Sequence, residues 1–291
     1  MHWEKPINPA QLATTATAAQ LLRAAPITAM EARILLAHVL GWQRTELITR
    51  ADEILPASQI AAFQALEKRR LAGEPMAQII EQREFFGLTF RITPAVLIPR
   101  PETELLVELA LASIASIEAP QVLDLGTGSG AIAIAIAHQR PDAQITATDQ
   151  AHAALALAKW NAHHLLPADR PGGPLNFAAG DWYHALATPK RFNLIVSNPP
   201  YIAAHDPHLT QGDLRFEPRH ALTDQADGLS ALHTIIAQAS AWLLDSGALW
   251  LEHGYNQAAA TRAQLIAHGF SKVRSERDLA HIERVSGGLK S

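Results

Sequence analysis

The regular alternation of predicted strands and helices after about residue 120 restricts the fold more than any other feature of this sequence. Short apolar runs rich in β-branched residues alternate with longer stretches in which apolar residues recur at helical spacing. Such alternation is typical of the α/β class, in which a mostly parallel sheet is covered by helices on both faces. The predicted elements are strands at 121–125, 144–148, 175–178, 192–197 and 248–252, helices at 131–139, 151–164, 229–244 and 257–268, and short strands near Lys272 and Arg284.

The first 80 or so residues have a different pattern, which predicts a small all-α N-terminal domain at residues 1–82. Apolar residues recur at helical spacing over 31–42, where Gly41 is a plausible helix stop, and again over 57–71. An aromatic and β-branched run at 84–92 then predicts a strand, and 96–98 predicts its return partner. We therefore expect a β-hairpin linker at 83–98 and the α/β domain at 99–291.

The overall composition excludes several classes of protein. The chain has 291 residues, of which 48% are hydrophobic, so it can bury a sizeable core. A net charge of −4 argues against binding of long nucleic acid through bulk charge, and the absence of cysteine excludes disulfides and thiolate chemistry. No apolar run approaches the roughly 18 residues that span a membrane, and the first residues lack the order of a secretory signal. A soluble cytoplasmic protein is expected.

A glycine-rich loop follows the first strand of the α/β region, in the sequence Asp-Leu-Gly-Thr-Gly-Ser-Gly. Glycine allows sharp turns and close approach of a ligand, and an acid at the end of the next strand can accept hydrogen bonds from ribose hydroxyls. The loop predicts an adenosine-containing ligand. It satisfies the dinucleotide fingerprint formally, with Ala131 as its last position, and it also resembles the loop of S-adenosylmethionine-dependent methyltransferases. The residues concerned are Gly126, Thr127, Gly128, Ser129, Gly130 and Asp149.

A second motif, Asn198-Pro199-Pro200-Tyr201, follows the predicted strand at 192–197. Proline has a fixed φ and no N–H, so this loop is stiff and offers carbonyl groups, while the Asn198 side chain adds another acceptor. Two acceptors beside an aromatic ring suit a planar NH2 group. A hydride-transfer enzyme has no need for them, so the two motifs together favour methyl transfer to an amine or amide. The structural alternative is a Pro-rich turn that ends a strand.

Asp181 and Trp182 follow the third predicted strand of the α/β region. In the methyltransferases that this sequence resembles, the corresponding region contacts the adenine, with a carboxylate accepting the amino hydrogens and a ring packing on the base. We therefore expect both residues in the cofactor site, together with Asn198. The alternative is a turn aspartate beside a core tryptophan.

The chain resembles the protein-glutamine methyltransferases that modify peptide chain release factors. The resemblance implies a Rossmann-like class I methyltransferase domain, S-adenosyl-L-methionine as cofactor and the glutamine amide in the Gly-Gly-Gln loop of class I release factors as substrate, so that the activity tunes translation termination. It also implies that the N-terminal domain docks the release factor. No metal, direct nucleic-acid partner or membrane partner is expected. The resemblance is carried by the two motifs and by residues 85–87, 98–104, 181–182, 212–218 and 251–254.

Mechanistically, we expect the Asn198 side-chain oxygen and the Pro199 carbonyl each to accept one amide hydrogen, with Tyr201 packed against the amide plane. No general base is needed before transfer, because the proton can leave once the nitrogen is cationic. Candidates to cover the cofactor are Arg100, Glu102 and Thr103. Arg215 and Glu217 are candidates to contact the protein substrate or each other, and Glu252-His253 could approach the site.

Three other functions stay open from the sequence. The Asn-Pro-Pro-Tyr motif is shared with adenine-amino methyltransferases of DNA and RNA, although the net charge and the lack of an evident target-recognition domain disfavour them. A non-enzymatic module that kept an adenosine-ligand fold is a second alternative. A dinucleotide-dependent oxidoreductase is a distant third.

Overall fold

The computed structural model describes residues 15–186 and 190–291. Residues 1–14, which the sequence assigns to the N-terminal domain, lie outside the described residues. The chain divides into two compact units, of which one ends at Glu81 and the other begins at Gln82. The predicted domain boundaries at residues 82 and 98 stay predictions. Among the helices that are described, none is both long enough and apolar enough to cross a membrane.

The unit that ends at Glu81 is mainly helical, which confirms the predicted helices. Helices α1 and α2 begin with capping boxes at Thr17 and Thr28, and α2 ends at Gly41, whose φ of 65° lies in the left-handed region. One short strand pair, which the sequence did not predict, joins Ala16 to Leu55. The elements are β1 Ala16–Thr17, α1 Ala18–Ala24, α2 Ala29–Leu40, α3 Glu46–Thr49, β2 Ile54–Leu55, α4 Ala57–Leu71 and α5 Met76–Ile79.

The hairpin lies earlier in the chain than predicted. Strand β3 Gln82–Phe85 pairs with β4 Leu88–Arg91, so the run at 84–92 folds back on itself. The turn residues Phe86 and Gly87 have φ of 52° and 76°, as a two-residue type I′ turn requires. The predicted pairing of 84–92 with a strand at 96–98 is therefore wrong. A phenylalanine at a left-handed position conceals this turn from sequence analysis, because such positions favour glycine, asparagine or aspartate.

The larger unit is built on a seven-stranded, mostly parallel sheet, as predicted. Its strand order is β10-β11-β9-β8-β5-β6-β7. Strand β11 runs antiparallel to both of its neighbours, β10 and β9, and the other neighbouring strands are parallel. The elements after the hairpin are α6 Glu104–Ser113, β5 Gln121–Leu125, α7 Ala131–Gln139, β6 Gln144–Asp149, α8 His152–Leu165, β7 Asn176–Ala179, β8 Phe192–Ser197, α9 Arg219–Leu222, α10 Ser230–Trp242, β9 Leu243–Glu252, α11 Ala258–Ala267, β10 Phe270–Arg277 and β11 Glu283–Lys290.

Burial of β5 and α7 on all sides explains their nearly continuous apolar sequences. Val122 to Leu125 of β5 are fully buried, as a central strand covered on both faces requires. All the residues of α7 from Ala131 to Ala137 are buried as well, so this helix is packed on every side. Short 3₁₀ helices interrupt the loops at Pro101–Thr103, Trp182–Ala185, Pro207–Thr210 and Gly212–Phe216.

The direction of winding reverses between β5 and β8. From β5 the chain continues to β6 and β7 on one side, and it then returns to place β8 on the other side of β5. In open parallel sheets, ligands bind in the crevice at the carboxyl ends of the two strands where this reversal occurs. The glycine loop leaves β5 and the Asn-Pro-Pro-Tyr segment leaves β8, so the two sequence motifs meet at this reversal point.

Candidate active site

A cavity opens at the carboxyl ends of the parallel strands and is bounded by both sequence motifs. Its walls come from the loops after β5, β6, β7 and β8, from the segment between the hairpin and α6, and from α9. The predicted residues that line it are Gly126, Thr127, Gly128, Ser129, Asp149, Asp181, Trp182, Asn198 and Pro200. Further lining residues, which the sequence did not assign to the site, include Ala95, Val96, Leu97, Ile132, Gln150, Ala154 and His220.

The glycine loop takes its shape from backbone conformation. Gly126, Gly128 and Gly130 have φ of 71°, 56° and 85°, a region that side chains rarely adopt. A Cβ built on Gly128 would meet no protein atom within 4 Å, so this glycine leaves open space at the cavity wall. Gly130 differs, because its Cβ would lie 2.8 Å from Ile134 Cδ1. It is a packing residue and does not line the cavity.

Asp149 connects the glycine loop to the end of β6. Its Oδ2 accepts a hydrogen bond from the Gly128 amide at 2.9 Å, and its Oδ1 accepts one from the Ala151 amide at 2.8 Å. A carboxylate has about four lone-pair positions, so each oxygen can accept a further hydrogen bond from a ligand. The predicted ligand-binding acid therefore also orients the loop that it faces.

Asp124 lies within the apolar run of β5, and the sequence alone assigned it no role in the site. Its Oδ2 accepts a hydrogen bond from the Thr127 hydroxyl at 2.7 Å, which ties the glycine loop to the strand. Burial raises the pKa of the Asp124 carboxyl to about 7, against the opposing effect of the Thr127 hydrogen bond. An acid inside an otherwise apolar strand was the available signal, since such a residue needs a partner when it is buried.

Trp182 adopts a φ of 44°, which a bulky residue rarely does. Its ring lies 3.4 Å from the position that a Cβ on Gly126 would occupy, and it also packs against the apolar core on one side of the sheet. Asp181 precedes it and is exposed at the cavity. Trp182 is therefore both a core residue and a residue of the cavity wall, the two alternatives that the sequence left open.

The loop after β8 is held by hydrogen bonds from distant parts of the chain. The Ser197 hydroxyl donates to the Leu125 carbonyl at 2.7 Å, and the Asn198 Nδ2 donates to the Thr103 hydroxyl at 3.2 Å. Gln257 Nε2 donates to the Tyr201 carbonyl at 2.9 Å. Within residues 15–186 and 190–291, no protein donor reaches Asn198 Oδ1 or the Pro199 carbonyl. Asn198 lines the cavity, so its Oδ1 faces a space that a ligand could occupy. Pro199 is buried and does not line the cavity, and contact of its carbonyl with a ligand stays a prediction.

Tyr201 does not line the cavity. Its hydroxyl donates to Glu252 Oε1 at 3.3 Å, at the end of β9. Burial raises the pKa of the Tyr201 phenol, and it raises the pKa of the Glu252 carboxyl to about 7. His253 is also buried, with its ring nitrogens 2.9 Å from the Gly254 carbonyl and 2.7 Å from the Ser286 hydroxyl, so it faces away from the cavity into the sheet. Stacking of Tyr201 on a ligand amide stays a prediction.

Glu217 pairs with Arg100 and not with Arg215. The buried Glu217 carboxylate accepts a hydrogen bond from the Ile98 amide at 2.9 Å and forms an ion pair with the Arg100 guanidinium. Arg215 instead donates to the Gly212 carbonyl at 3.0 Å. Of the two alternatives for Arg215 and Glu217, contact with each other is wrong, because the chain folds the segment before α6 over Glu217. Contact of either residue with a protein substrate stays a prediction. Arg100 lines the cavity, so this ion pair connects a cavity wall to the segment that leads into α9.

Comparison with known proteins identifies two family models in the chain. The PrmC N-terminal domain matches residues 14–80, and the methyltransferase small domain matches residues 101–214. The release factor glutamine methyltransferase of Burkholderia pseudomallei is 63% identical over 94% of this chain and 96% of its own length. The protein of the same name from Bordetella pertussis is 55% identical over 89% of this chain and 94% of its own length.

Among solved structures, the 16S rRNA N2 G1207 methyltransferase RsmC of T. thermophilus, in complex with AdoMet and guanosine, is similar to this chain with a TM-score of 0.50. The match covers 72% of this chain and 50% of that one at 20% identity. A likeness at this identity shows a shared methyltransferase fold.

Proposed function

Because the chain belongs to the release factor glutamine methyltransferase family, we propose that it transfers a methyl group from S-adenosyl-L-methionine to the glutamine side-chain amide in the Gly-Gly-Gln loop of class I peptide chain release factors. Such a reaction tunes translation termination and belongs in the cytoplasm. The observation that carries the proposal is one cavity bounded both by an open glycine loop and by Asn198, whose Oδ1 accepts no hydrogen bond from the described residues.

The residues on the β5 and β6 side of the cavity fit S-adenosyl-L-methionine. Gly128 leaves space that a side chain would fill, which suits close approach of the amino-acid end of the cofactor. Asp149 retains lone pairs that suit the ribose hydroxyls. Asp181 and Trp182 line the cavity, and we propose that the adenine binds against them. These residues would hold the cofactor, which when bound supplies an electrophilic methyl group on sulfur.

The residues on the β8 side fit a primary amide. An amide nitrogen is a poor nucleophile, because its lone pair is delocalised into the carbonyl. The chain therefore contributes mainly positioning and charge stabilisation. Asn198 Oδ1 and the Pro199 carbonyl would each accept one amide hydrogen at about 2.9 Å, directing the nitrogen lone pair and stabilising its growing positive charge. The stiff Pro199-Pro200 backbone limits how far these two oxygens can move apart.

The proposed reaction is tested by incubating the protein with labelled S-adenosyl-L-methionine and a class I release factor. Mass spectrometry should find one added methyl group on the glutamine of the Gly-Gly-Gln loop. A release factor in which that glutamine is replaced by alanine serves as the matched control and should stay unmethylated. Label in DNA or RNA with none in the release factor would instead support an adenine-amino methyltransferase.

We further propose that the unit that ends at Glu81 docks the release factor. It presents large apolar side chains to solvent, among them Met30, Ile48 and Ile54, with exposed fractions of 71%, 78% and 69%. Such side chains are candidate contacts for a protein partner. Ile48→Asp should raise KM for the release factor without changing kcat. Leu279→Asp, at a fully exposed apolar residue of the larger unit, is the control. Equal effects of the two substitutions would refute a docking role.

A further inference from the structure

We propose that Thr103 and Glu252 are positioning residues, which fix whether the oxygen or the nitrogen of the Asn198 side-chain amide faces the substrate. This inference rests on the proposed function. Asn198 can accept a hydrogen from the substrate amide only through Oδ1, and rotating its side chain by half a turn would present an NH2 group instead. A hydrogen-bond acceptor on the protein is therefore needed to hold the Asn198 NH2 group away from the substrate.

Thr103 is the only described side chain that forms a hydrogen bond with the Asn198 side chain. Its hydroxyl oxygen accepts from Asn198 Nδ2 at 3.2 Å, and Thr103 itself is buried, with 4% of its surface exposed. A threonine hydroxyl has one hydrogen and two lone pairs, so it can accept from an NH2 group or donate to an oxygen. The direction of the Thr103 hydrogen therefore decides the orientation of Asn198.

Glu252 determines where that hydrogen points. Its carboxyl group is 1% exposed, and its Oε1 accepts from the Tyr201 hydroxyl at 3.3 Å, while none of the described donors bonds to its buried Oε2. The Thr103 hydroxyl is a neighbour that opposes the rise in the pKa of this carboxyl, as a hydrogen-bond donor does. An ionised carboxylate can only accept hydrogen bonds. In the proposed network Thr103 supplies the hydrogen to this unpartnered oxygen, which leaves a lone pair for Asn198 Nδ2 and turns Asn198 Oδ1 toward the cavity. Tyr201 takes part in the same network as a second donor to Glu252.

A neutral Glu252 carboxyl would remove this constraint. It could donate its own hydrogen to Thr103, and the Thr103 hydrogen would then be free to bind Asn198 Oδ1. Two charged groups near Glu252 have opposite effects on its pKa, since Arg284 lowers it and Glu102 raises it. Arg284 comes from β11 and also donates to Asp278 at 3.0 Å. Burial is the largest influence and raises the pKa of Glu252 to about 7, so the orienting carboxylate forms as the pH rises through neutrality.

Kinetics of two threonine variants test the role of the hydroxyl. Thr103→Val keeps the shape and removes the hydroxyl, and it should lower kcat about tenfold while leaving the cofactor dissociation constant within about twofold. Thr103→Ser restores the hydroxyl and should recover most of kcat. Thr146→Val, at a buried threonine of β6 outside the cavity lining, is the control for the loss of a buried hydroxyl. Equal kcat for Thr103→Val and Thr103→Ser would overturn the proposal.

Glu252→Gln tests the carboxylate. Wild-type kcat should rise with pH about a midpoint near 7, and this step should disappear in Glu252→Gln together with a fall in kcat. Nuclear magnetic resonance of asparagine side-chain amides in the cofactor-bound protein gives a readout that needs no methyl transfer. The Asn198 NH2 signals, assigned by their absence in Asn198→Asp, should shift with the same midpoint and lose that shift in Glu252→Gln.

The two readouts separate this proposal from the proposed function. If the release factor is not methylated and the Asn198 signals nevertheless titrate through Glu252, the proposed substrate is wrong and the orienting network stands. If the release factor is methylated while the Asn198 signals ignore Glu252 and Thr103, the orienting network is wrong and the substrate stands.

Discussion

The two loops that enclose the cavity are held in different ways. The glycine loop after β5 gets its shape from three left-handed glycines and from hydrogen bonds to its own strand and to the next one. The loop after β8 is held by Thr103, Glu252 and Gln257, which lie 95, 51 and 56 residues away from their partners in the chain. The shape of the proposed cofactor side is therefore set by local sequence, while the proposed substrate side is assembled by contacts between distant parts of the chain. Substitutions on the two sides should consequently change different measurements.

The largest effect is expected for Asn198→Ala, which removes a proposed acceptor from the substrate side. Loss of one such preorganised group typically costs about 100- to 1000-fold in kcat. The cofactor dissociation constant should stay within a few-fold, because the glycine loop keeps its own hydrogen bonds. Asn176→Ala, at the exposed start of β7, is the control. A parallel loss of cofactor affinity and of kcat in Asn198→Ala would show that the two loops do not act separately.

Asp149→Ala should have the opposite profile, since it removes an acceptor from the cofactor side. Hydrogen bonds to charged groups are worth about 1.5 to 3 kcal/mol, so the dissociation constant of S-adenosyl-L-methionine should rise about 10- to 100-fold. Activity at saturating cofactor should be largely retained. Calorimetry measures the affinity, and Asp245→Ala, whose side chain is 90% exposed, is the control. An unchanged affinity would remove Asp149 from the site.

Gly128→Ala tests whether the open space at the glycine loop is needed for binding of the cofactor. The added methyl group enters the open space at the cavity wall, at a φ of 56° that costs alanine about 1 to 2 kcal/mol. We expect the cofactor dissociation constant to rise about 5- to 10-fold. Gly212→Ala has a similar φ of 52° and also meets no atom within 4 Å, but it does not line the cavity. If both variants weaken the cofactor equally, backbone strain and not the cavity wall accounts for the effect.

The smallest effect concerns stability and Asp124, the buried acid beneath the glycine loop. Its pKa is raised from the model-peptide value of 3.8 to about 7 in the folded chain. The folded state therefore holds the proton more tightly, and the contribution of Asp124 to stability is present below about pH 4 and is lost as the pH rises through about 7. Asp124→Asn should lose this dependence.

Thermal unfolding at a series of pH values checks this sign. The melting temperature of the wild-type chain, relative to Asp124→Asn, should fall between about pH 4 and about pH 7 and should stay level above that range. A wild-type chain that gains stability relative to Asp124→Asn with rising pH would contradict the assigned burial effect. The Thr127 hydrogen bond is expected to survive in the variant, because an asparagine oxygen can still accept it.

Sequence reasoning predicted the larger unit well and the hairpin poorly. The strands β5 and β8 and the helix α7 match the predicted bounds, because buried apolar runs bounded by glycine or proline leave few alternatives. The hairpin was misplaced because its turn uses Phe86 at a left-handed φ, and no local pattern signals such a residue. Three residues that the sequence predicts for the site, Gly130, Pro199 and Tyr201, do not line the cavity. Gly130 and Tyr201 contact other parts of the protein instead.

The fold class and the two loops that bound the cavity could be predicted from the residues alone, because glycine spacing, proline rigidity and apolar periodicity act over a few residues. The orientation of Asn198 and the pairing of Glu217 with Arg100 could not, since both depend on side chains brought together from far apart in the chain. Hydrogen bonds and burial depend on which groups are close in space, and a single sequence does not show which distant residues become neighbours.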